Sequence, residues 1–494
     1  MSKLTIYFTS DTHGYLYPNN FASKQPRPMG LLAMSFPKDE NTLVIDGGDT
    51  IQGSPLTYFC KLTGRELPVA KAMNDRGYDY VTLGNHDFNN GYDYLKRYLD
   101  ALDAKCLCAN VNDLRGELPI CSAAVHTLGN GLRVGLVGIV TDWVNRWEKP
   151  ENLTELQVRD PFEAARKAIE DLDADMIVGI YHGGVEKDLA TGRVLSGTDE
   201  NIACRLCEEL HIDLLLTGHQ HIPMAGQNWH GTHIVQTPCN AAAYVKVTLE
   251  EDGFHSELCD VPDTAPLTAA EETLWEELNA WLDTPIGKLS QAIWPGEKLD
   301  MAMHGSSIAD FFNTVQLWAS GADVSCAALS NELRGFDSAV TVRDVVASYV
   351  YSNTLAVLEV TGETLRLALE QCARYFAMGE DGGICISESF LSPKVAHYNY
   401  DYFSGIEYVF DLHRPEGERV VSLTRMGQPV RPEDKFTLVM CDYRATGAGD
   451  FDFYCDCPRV RDIQTEVSEL ILNYLVEYPY VEIPREHPIR CIIR

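Results

Sequence analysis

Apolar residues in the first half of the chain come in short unbroken runs. They are "LTIYFTS" from Leu4, "NTLVIDG" from Asn41, "YDYVTLG" from Tyr78, "KCLCANV" from Lys105, "LRVGLVGIV" from Leu132, "ADMIVGIYHG" from Ala174, "IDLLLTGH" from Ile212 and "AYVKVTLE" from Ala243. Runs of this kind predict strands buried on both faces. Between them, "GYDYLKRYLDALD" and "DPFEAARKAIEDLDA" place apolar residues at helical spacing. Strands alternating with amphipathic helices predict an α/β domain over residues 1–265. The acidic stretch "TAAEETLWEELNAWLDTPIG", stopped by Pro285 and Gly287, predicts a linker helix and hinge over 266–295. Residues 296–494 then read as a second, smaller α/β domain. There "SSIADFFNTVQLWA" and "TGETLRLALEQCARYF" are helix-like, and "TLAVLEV", "GIEYVFDL" and "KFTLVMCDY" strand-like.

The ends of the early strands share a chemistry. The first runs into Asp11 and His13, the second into Asp46 and Asp49, and the third into Asn85, His86 and Asp87. Two later strands end in His182 and in His219 with His221. Glycine usually stands beside them. Any one of these residues alone fits a packed histidine or a turn carboxylate. In succession at strand ends they predict a site, because ligands gather where the carboxyl ends of such strands converge. Carboxylate, imidazole and amide oxygen form a mixed donor set suited to Mn, Zn, Fe or Co. The spacing Asp11-x-His13 puts two side chains on one side of an extended backbone, and His219-x-His221 repeats it. Two divalent ions facing the two carboxylates Asp11 and Asp49 leave an excess of about two positive charges, which matches a phosphate dianion.

Composition narrows the partners. Lys and Arg number 40 against 72 Asp and Glu, a net charge of −32. Binding to nucleic-acid polymers rests on Lys and Arg neutralising phosphates, so this surface disfavours it, and it repels anionic membranes. A small anionic substrate is compatible, since screening limits surface charge to roughly 8–10 Å. The N-terminus lacks the apolar segment and small-residue cleavage site of an export signal, and no run of about 20 apolar residues spans a bilayer. With 15 scattered cysteines read as reduced thiols, the expected compartment is the cytoplasm. The oligomeric state is not legible.

The ordered blocks D-x-H, G-D, G-N-H-D, H and G-H-x-H resemble the metallophosphoesterase superfamily, in which the sheet is a sandwich flanked by helices. The resemblance implies that Asp11, His13, Asp49 and His221 hold one divalent metal ion, and Asp49, Asn85, His182 and His219 a second. It implies in-line attack on phosphorus by a metal-bound hydroxide, with His86 steadying the transition-state oxygen or protonating the leaving group.

The second half is similar to the 5′-nucleotidase C-terminal domain in "SNTLAVLEVTGETLRLAL", "HYNYDYFSGIEYVFDL" and "PVRPEDKFTLVMCDYRATGAG". That resemblance implies a nucleoside held between two aromatics, at positions matching Tyr351 and Tyr443, and a domain that rotates to bring phosphate to the metals. Tyr443 precedes a glycine-rich turn, where Gly447 lets backbone approach a ligand. Asn331 and Arg334, in "SNELRGFD", stand for the family's phosphate-holding segment, shortened and without its glycines. "DTIQGSPLTYF", "GNHDFNNGYDYLK", "YNYDY" and "DYRATGAG" look more like the 2′,3′-cyclic-nucleotide phosphodiesterase/3′-nucleotidase branch than the 5′-nucleotidases of AMP type. Those 5′-nucleotidases pair the catalytic histidine with an aspartate where this chain has Asn89, which leaves Asp87 as the neighbouring carboxylate to orient His86. The expected activity is hydrolysis of small nucleotides. The alternative is a nucleotide-binding or sensing protein with a weak or inactive metal site, and a nuclease acting on polymers fits the charge poorly.

Overall fold

All eight apolar runs of the first half contain strands, and they sort into two sheets. The first sheet has the order Gly253–Asp260, Ala243–Glu250, Leu4–Thr9, Thr42–Asp46, Tyr80–Val81, Lys105–Leu107, Ile120–Cys121. Its members from Leu4–Thr9 to Ile120–Cys121 run parallel, and the remaining two are joined on by antiparallel pairings. The second has the order Met224–Trp229, Thr232–Gln236, Leu214–Thr217, Met176–His182, Arg133–Val140, Ala123–Thr127, with parallel inner strands and an antiparallel strand at each edge. This computed structural model describes residues 3–492 apart from 196–198, 352, 380, 381, 393, 394 and 485.

The two sheets pack face to face. Leu4, Ile6, Phe8, Leu43 and Ile45 of one interleave with Leu136, Val178, Ile180, Leu214 and Leu216 of the other in one buried cluster. Alternate residues of the second sheet, Ile177, Tyr181 and Leu215, point the other way and meet Phe162, Ala165, Leu206 and Cys207 of the covering helices Pro161–Glu170 and Ala203–Glu209. Strands with apolar partners on both faces must be apolar throughout, which is why the runs are unbroken. The edge strands Met224–Trp229 and Gly253–Asp260 carry polar residues on their open side, and the run-based reading passed over them.

The chain divides into two compact units, Met1–Asn20 with Lys24–Leu278, and Phe21–Ser23 with Asn279–Arg494. The division falls inside the helix Ala269–Leu282, and Pro285–Leu289 beyond it is a strand of the second unit. That unit centres on a sheet in the order Asp401–Ser404, Val324–Ala328, Lys435–Cys441, Leu355–Thr361, Arg459–Ile463. The helices Ser307–Ser320, Gly362–Ala373 and Val467–Glu477 each bury an apolar face. Among the described residues no helix is long and apolar enough to cross a membrane.

Candidate metal centre and a second cavity

Five polar loops leave the strand ends of the first unit and converge. Glycine allows them to come this close. A Cβ on Gly84 would lie 2.1 Å from Asp49 Oδ1 and 2.4 Å from Asp49 N, and one on Gly218 would lie 2.7 Å from Asp11 Oδ2. The loops are also strained. Asp11, His13, Asp49, His219 and His221 hold φ angles of 53°, 48°, 57°, 71° and 58°, in the left-handed region that non-glycine residues avoid. Strain of this kind costs of order 1–3 kcal/mol per residue and clusters at functional sites.

Two groups of ligand atoms result, Asp11 with His13 and His221, and Asp11 with Asp49 and His182; in each the atoms lie within 4.8 Å of one another. Asp11 Oδ1 is 3.4 Å from His221 Nε2, and Asp49 Oδ2 is 3.2 Å from His182 Nε2. Asn85 joins through Oδ1, 3.2 Å from His182 Nε2 and 2.9 Å from His219 Nδ1. Every residue the sequence put forward as a ligand thus reaches the cluster. The histidines are oriented from behind. The inward nitrogens are His13 Nε2, His182 Nε2 and His219 Nδ1. The opposite nitrogens meet Gln52 O at 3.0 Å, Gly47 O at 2.7 Å and Glu200 Oε1 at 3.0 Å. A ligating histidine is held in this way by an acceptor on its far nitrogen. Glu200 was invisible in the sequence because it lies on a loop remote from every strand-end motif.

The electrostatics suit cations. Burial pushes the Asp11 carboxyl up, but the hydrogen bond from His221 and the charges of His182 and His221 outweigh it and hold it at about 2. Burial opposes a proton on His182, yet Asp49 and Asp11 raise it to about 9. Burial keeps His13 at about 4 in spite of the Asp49 charge. Asp11 and Asp49 face nitrogens of His182 and His221 at 3.2–3.9 Å, a pairing that favours positive charge within the cluster. His13 Nε2 faces His221 Nε2 at 3.3 Å, a contact that needs a proton or a cation between the two lone pairs. Buried carboxylates, inward imidazoles and an amide oxygen form a donor set that fits two divalent cations.

Neighbouring residues take other roles. Asp46 faces away from the cluster, accepting from Thr9 Oγ1 at 2.6 Å, Thr50 Oγ1 at 2.7 Å and Gly48 N at 3.0 Å. Burial pushes its carboxyl up to about 7 against those bonds. Asp87, expected to orient His86, is turned elsewhere. Its two oxygens accept from the backbone N–H groups of Asp49, Thr50, Ile51 and Gly84 at 2.8–3.1 Å, bracing the loop that carries Asp49. Successive side chains diverge, so Asp87 cannot serve the ring of His86 from there. Asn89 meets His86 Nδ1 instead, through Oδ1 at 2.8 Å. The ring of His86 lies 5.4 Å from that of His13, centroid to centroid.

The second unit holds a cavity of 440 Å³, whose wall includes Tyr351, Tyr443, Asn331 and Tyr398. Tyr351 and Tyr443 are 36% and 47% exposed, and Tyr398 stands edge-on to Tyr351 at 6.5 Å. Two expected contacts are placed differently. Arg334 is not on the wall and donates to Ala22 O at 3.2 Å. Gly447 has φ 83° and packs so closely that a Cβ would come 2.7 Å from Cys455 Sγ, so the turn itself demands glycine. Arg444, passed over in the sequence, lines the cavity while it is paired with Asp401 at 2.8 Å.

Residues 4–223 match the family model for calcineurin-like phosphoesterases, and residues 285–455 that for the 5′-nucleotidase C-terminal domain. A Staphylococcus aureus protein solved with α-ketoglutarate, under the working name 5′-nucleotidase, is 33% identical, with 99% of each chain covered and a TM-score of 0.73. A 2′,3′-cyclic-nucleotide 2′-phosphodiesterase/3′-nucleotidase of Haemophilus influenzae is 24% identical over 90% of this chain and 80% of its own. The trifunctional nucleotide phosphoesterase of Bacillus subtilis is 24% identical over 96% of this chain, which spans only 38% of that protein.

Proposed function

We propose that this chain, which belongs to the family joining a calcineurin-like phosphoesterase domain to a 5′-nucleotidase C-terminal domain, is a metal-dependent hydrolase of nucleotide phosphoesters. The observation that carries the reading is the pair of largely buried His and Asp groups that meet at Asp11. Asp11, His13, Asp49 and His221 would hold one divalent cation, and Asp49, Asn85, His182 and His219 the other. The donors favour Mn, Zn, Co or Fe. Bound there, such a pair polarises the phosphoryl group and makes a nucleophile available at neutral pH. The chain's own residues do the rest. His86 Nε2 exchanges a proton with the reacting phosphate or its leaving oxygen. Asp87 keeps the Asp49 loop in its strained form through four backbone hydrogen bonds. Tyr351 and Tyr443 stack on the base, where each contact is worth about 1–3 kcal/mol.

Within this class we rank hydrolysis of 2′,3′-cyclic nucleotides and 3′-nucleotides first and 5′-nucleotidase activity second. Asn89 in "GNHDFNNG" supports that order, as do relatives of the cyclic-nucleotide branch matched over 90% of this chain.

The test is turnover by metal-stripped protein resupplied with Mn²⁺, Co²⁺, Zn²⁺ or Mg²⁺ on 2′,3′-cyclic AMP, 3′-AMP, 5′-AMP and bis-p-nitrophenyl phosphate. Ring opening is followed by chromatography, because it frees no phosphate. Metal-dependent turnover that Asp49→Ala abolishes is expected. No turnover with any metal, alongside tight nucleotide binding, would sink the reading.

A further inference from the structure

The backbone of His86 is fixed by the candidate metal centre, since its N–H donates to Asp49 Oδ1 at 2.7 Å. Its ring is aimed by something else. Nδ1 rests 2.8 Å from Oδ1 of Asn89, and a carboxamide is an ambiguous partner. Its two ends are nearly the same size, yet one accepts and the other donates. Turned over, the amide would present N–H to Nδ1 and force the imidazole into its other tautomer.

A second contact removes the ambiguity. Asn89 Nδ2 lies 2.6 Å from Oε2 of Glu148. Glu148 is only 9% exposed, and its Oε1 already receives Lys149 N at 2.7 Å and Asn152 Nδ2 at 2.8 Å. Three donors converge on these two carboxylate oxygens, which act as acceptors. The amino end of Asn89 must therefore face Glu148, its oxygen must face His86, and Nδ1 of His86 must carry hydrogen. Asn152 Nδ2 also donates to the Asn89 carbonyl at 3.0 Å, which holds the backbone of Asn89 to the same cluster. The adjacent Trp147 stacks on His219, ring centroids 5.3 Å apart and planes inclined by 24°. One short segment thus supports both the His86 ring and a candidate metal ligand.

We propose that Glu148 is a positioning residue for the hydrolysis assigned above: it locks the Asn89 carboxamide, and through it the tautomer and aim of His86. The inference rests on that functional reading. With hydrogen fixed on Nδ1 in both the neutral and the charged ring, proton exchange with substrate is confined to Nε2.

Glu148→Gln tests this, because one oxygen cannot receive three donors and the amide chain loses its fixed direction. Turnover number is expected to fall about 10–100-fold, the usual effect of losing an outer partner, with KM and metal content unchanged. Asn89→Asp alone should fall by at least about tenfold, since it sets two carboxylates against each other. The double variant Asn89→Asp/Glu148→Gln removes that clash and gives His86 an acceptor that needs no orienting. It should recover to within about threefold of the parent, whereas a merely structural role predicts that the two losses multiply. A ¹⁵N-histidine spectrum with saturating Mg²⁺ or Zn²⁺, in which His86→Gln identifies the signal, should show the Nδ1–H form in the parent and lose it in Glu148→Gln. Should Glu148→Gln not fold, Asn89→Asp and the parent spectrum still decide the matter. An active parent with an Nε2–H signal, an unimpaired Glu148→Gln, or multiplied losses overturns this role and leaves the functional reading standing. An inactive parent overturns both.

Discussion

At the residue scale the centre is built from unfavourable pieces held by their neighbours. Gly84 shows how narrow the tolerance is. With Asp49 Oδ1 only 2.1 Å from the place of a Cβ, Gly84→Ala must displace the loop that carries the shared carboxylate. We expect a stability loss of about 1–3 kcal/mol by thermal melting, with weaker metal binding, since overpacking is relieved only by backbone movement. Glu200→Gln is milder. It leaves His219 in place with a poorer partner on Nε2, and equilibrium dialysis should show metal affinity reduced about 10–100-fold. The protons in the metal-free centre give a pH dependence with a definite sign. Burial opposes a proton on His182 and on His221, but Asp49 and Asp11 raise His182 to about 9 and the hydrogen bond to Asp11 lifts His221 well above the ordinary imidazole range, so at pH 7 both must lose a proton to ligate. Asp11, held at about 2, and His13, held at about 4, are already deprotonated there. Metal affinity should therefore rise with pH toward about 9, by about tenfold per unit for each proton displaced. Calorimetry in buffers of different ionisation enthalpy measures the released protons. An affinity independent of pH from 7 to 8.5 would contradict protons on His182 and His221.

At the scale of elements, the loops owe their precision to what anchors them. The helix Pro55–Thr63 begins at Ser54, whose Oγ accepts from Thr57 N at 3.2 Å and donates to Gly14 O at 2.9 Å. That one hydroxyl caps a helix and ties it to the loop bearing Asp11 and His13. Loss of a cap costs about 1 kcal/mol. Ser54→Ala should cost more, about 1.5–2.5 kcal/mol in denaturant unfolding once the buried carbonyl of Gly14 is left without its partner. Strand existence was legible because buried parallel strands are apolar along their whole length. The third strand is shorter than its sequence suggests, only Tyr80–Val81: Thr82 N still donates to Asp46 O at 3.0 Å, and beyond it the chain turns so that the His86 N–H reaches Asp49 Oδ1 at 2.7 Å. The segment 143–153 had no legible signal. Its Trp147, Glu148 and Asn152 look like an ordinary surface turn, and only folding brings them against His219 and Asn89.

At the scale of the whole molecule, the proposed function puts chemistry on the first unit and base recognition on the second, so the two should separate in experiment. Tyr443→Ala should weaken equilibrium binding of nucleotides about 5–150-fold, the loss of one stacking contact, and leave hydrolysis of bis-p-nitrophenyl phosphate unchanged. An equal loss on both substrates would mean that Tyr443 serves folding rather than the base. The net charge of −32 argues at the same scale. Activity on single-stranded polynucleotide should be negligible beside that on mononucleotides, because too few cations line the surface to neutralise a phosphate chain.

By itself the sequence determined which polar residues converge at the strand ends. Ligand types placed after apolar runs are a local pattern, and any fold that aligns those strand ends must bring Asp11, His13, Asp49, Asn85, His182, His219 and His221 together. It also determined that strands and helices alternate, since periodicity follows from burial. Which nitrogen of each histidine points inward was decided only by tertiary structure, because the acceptors that set it, Gln52 O, Gly47 O and Glu200, lie on other segments. The partner of His86 was decided in the same way. Asp87 stands beside it in the chain, yet a short turn sends adjacent side chains in different directions. Asn89 sits one turn away, and its amide direction is set by Glu148, a residue that the motif of His86 does not contain.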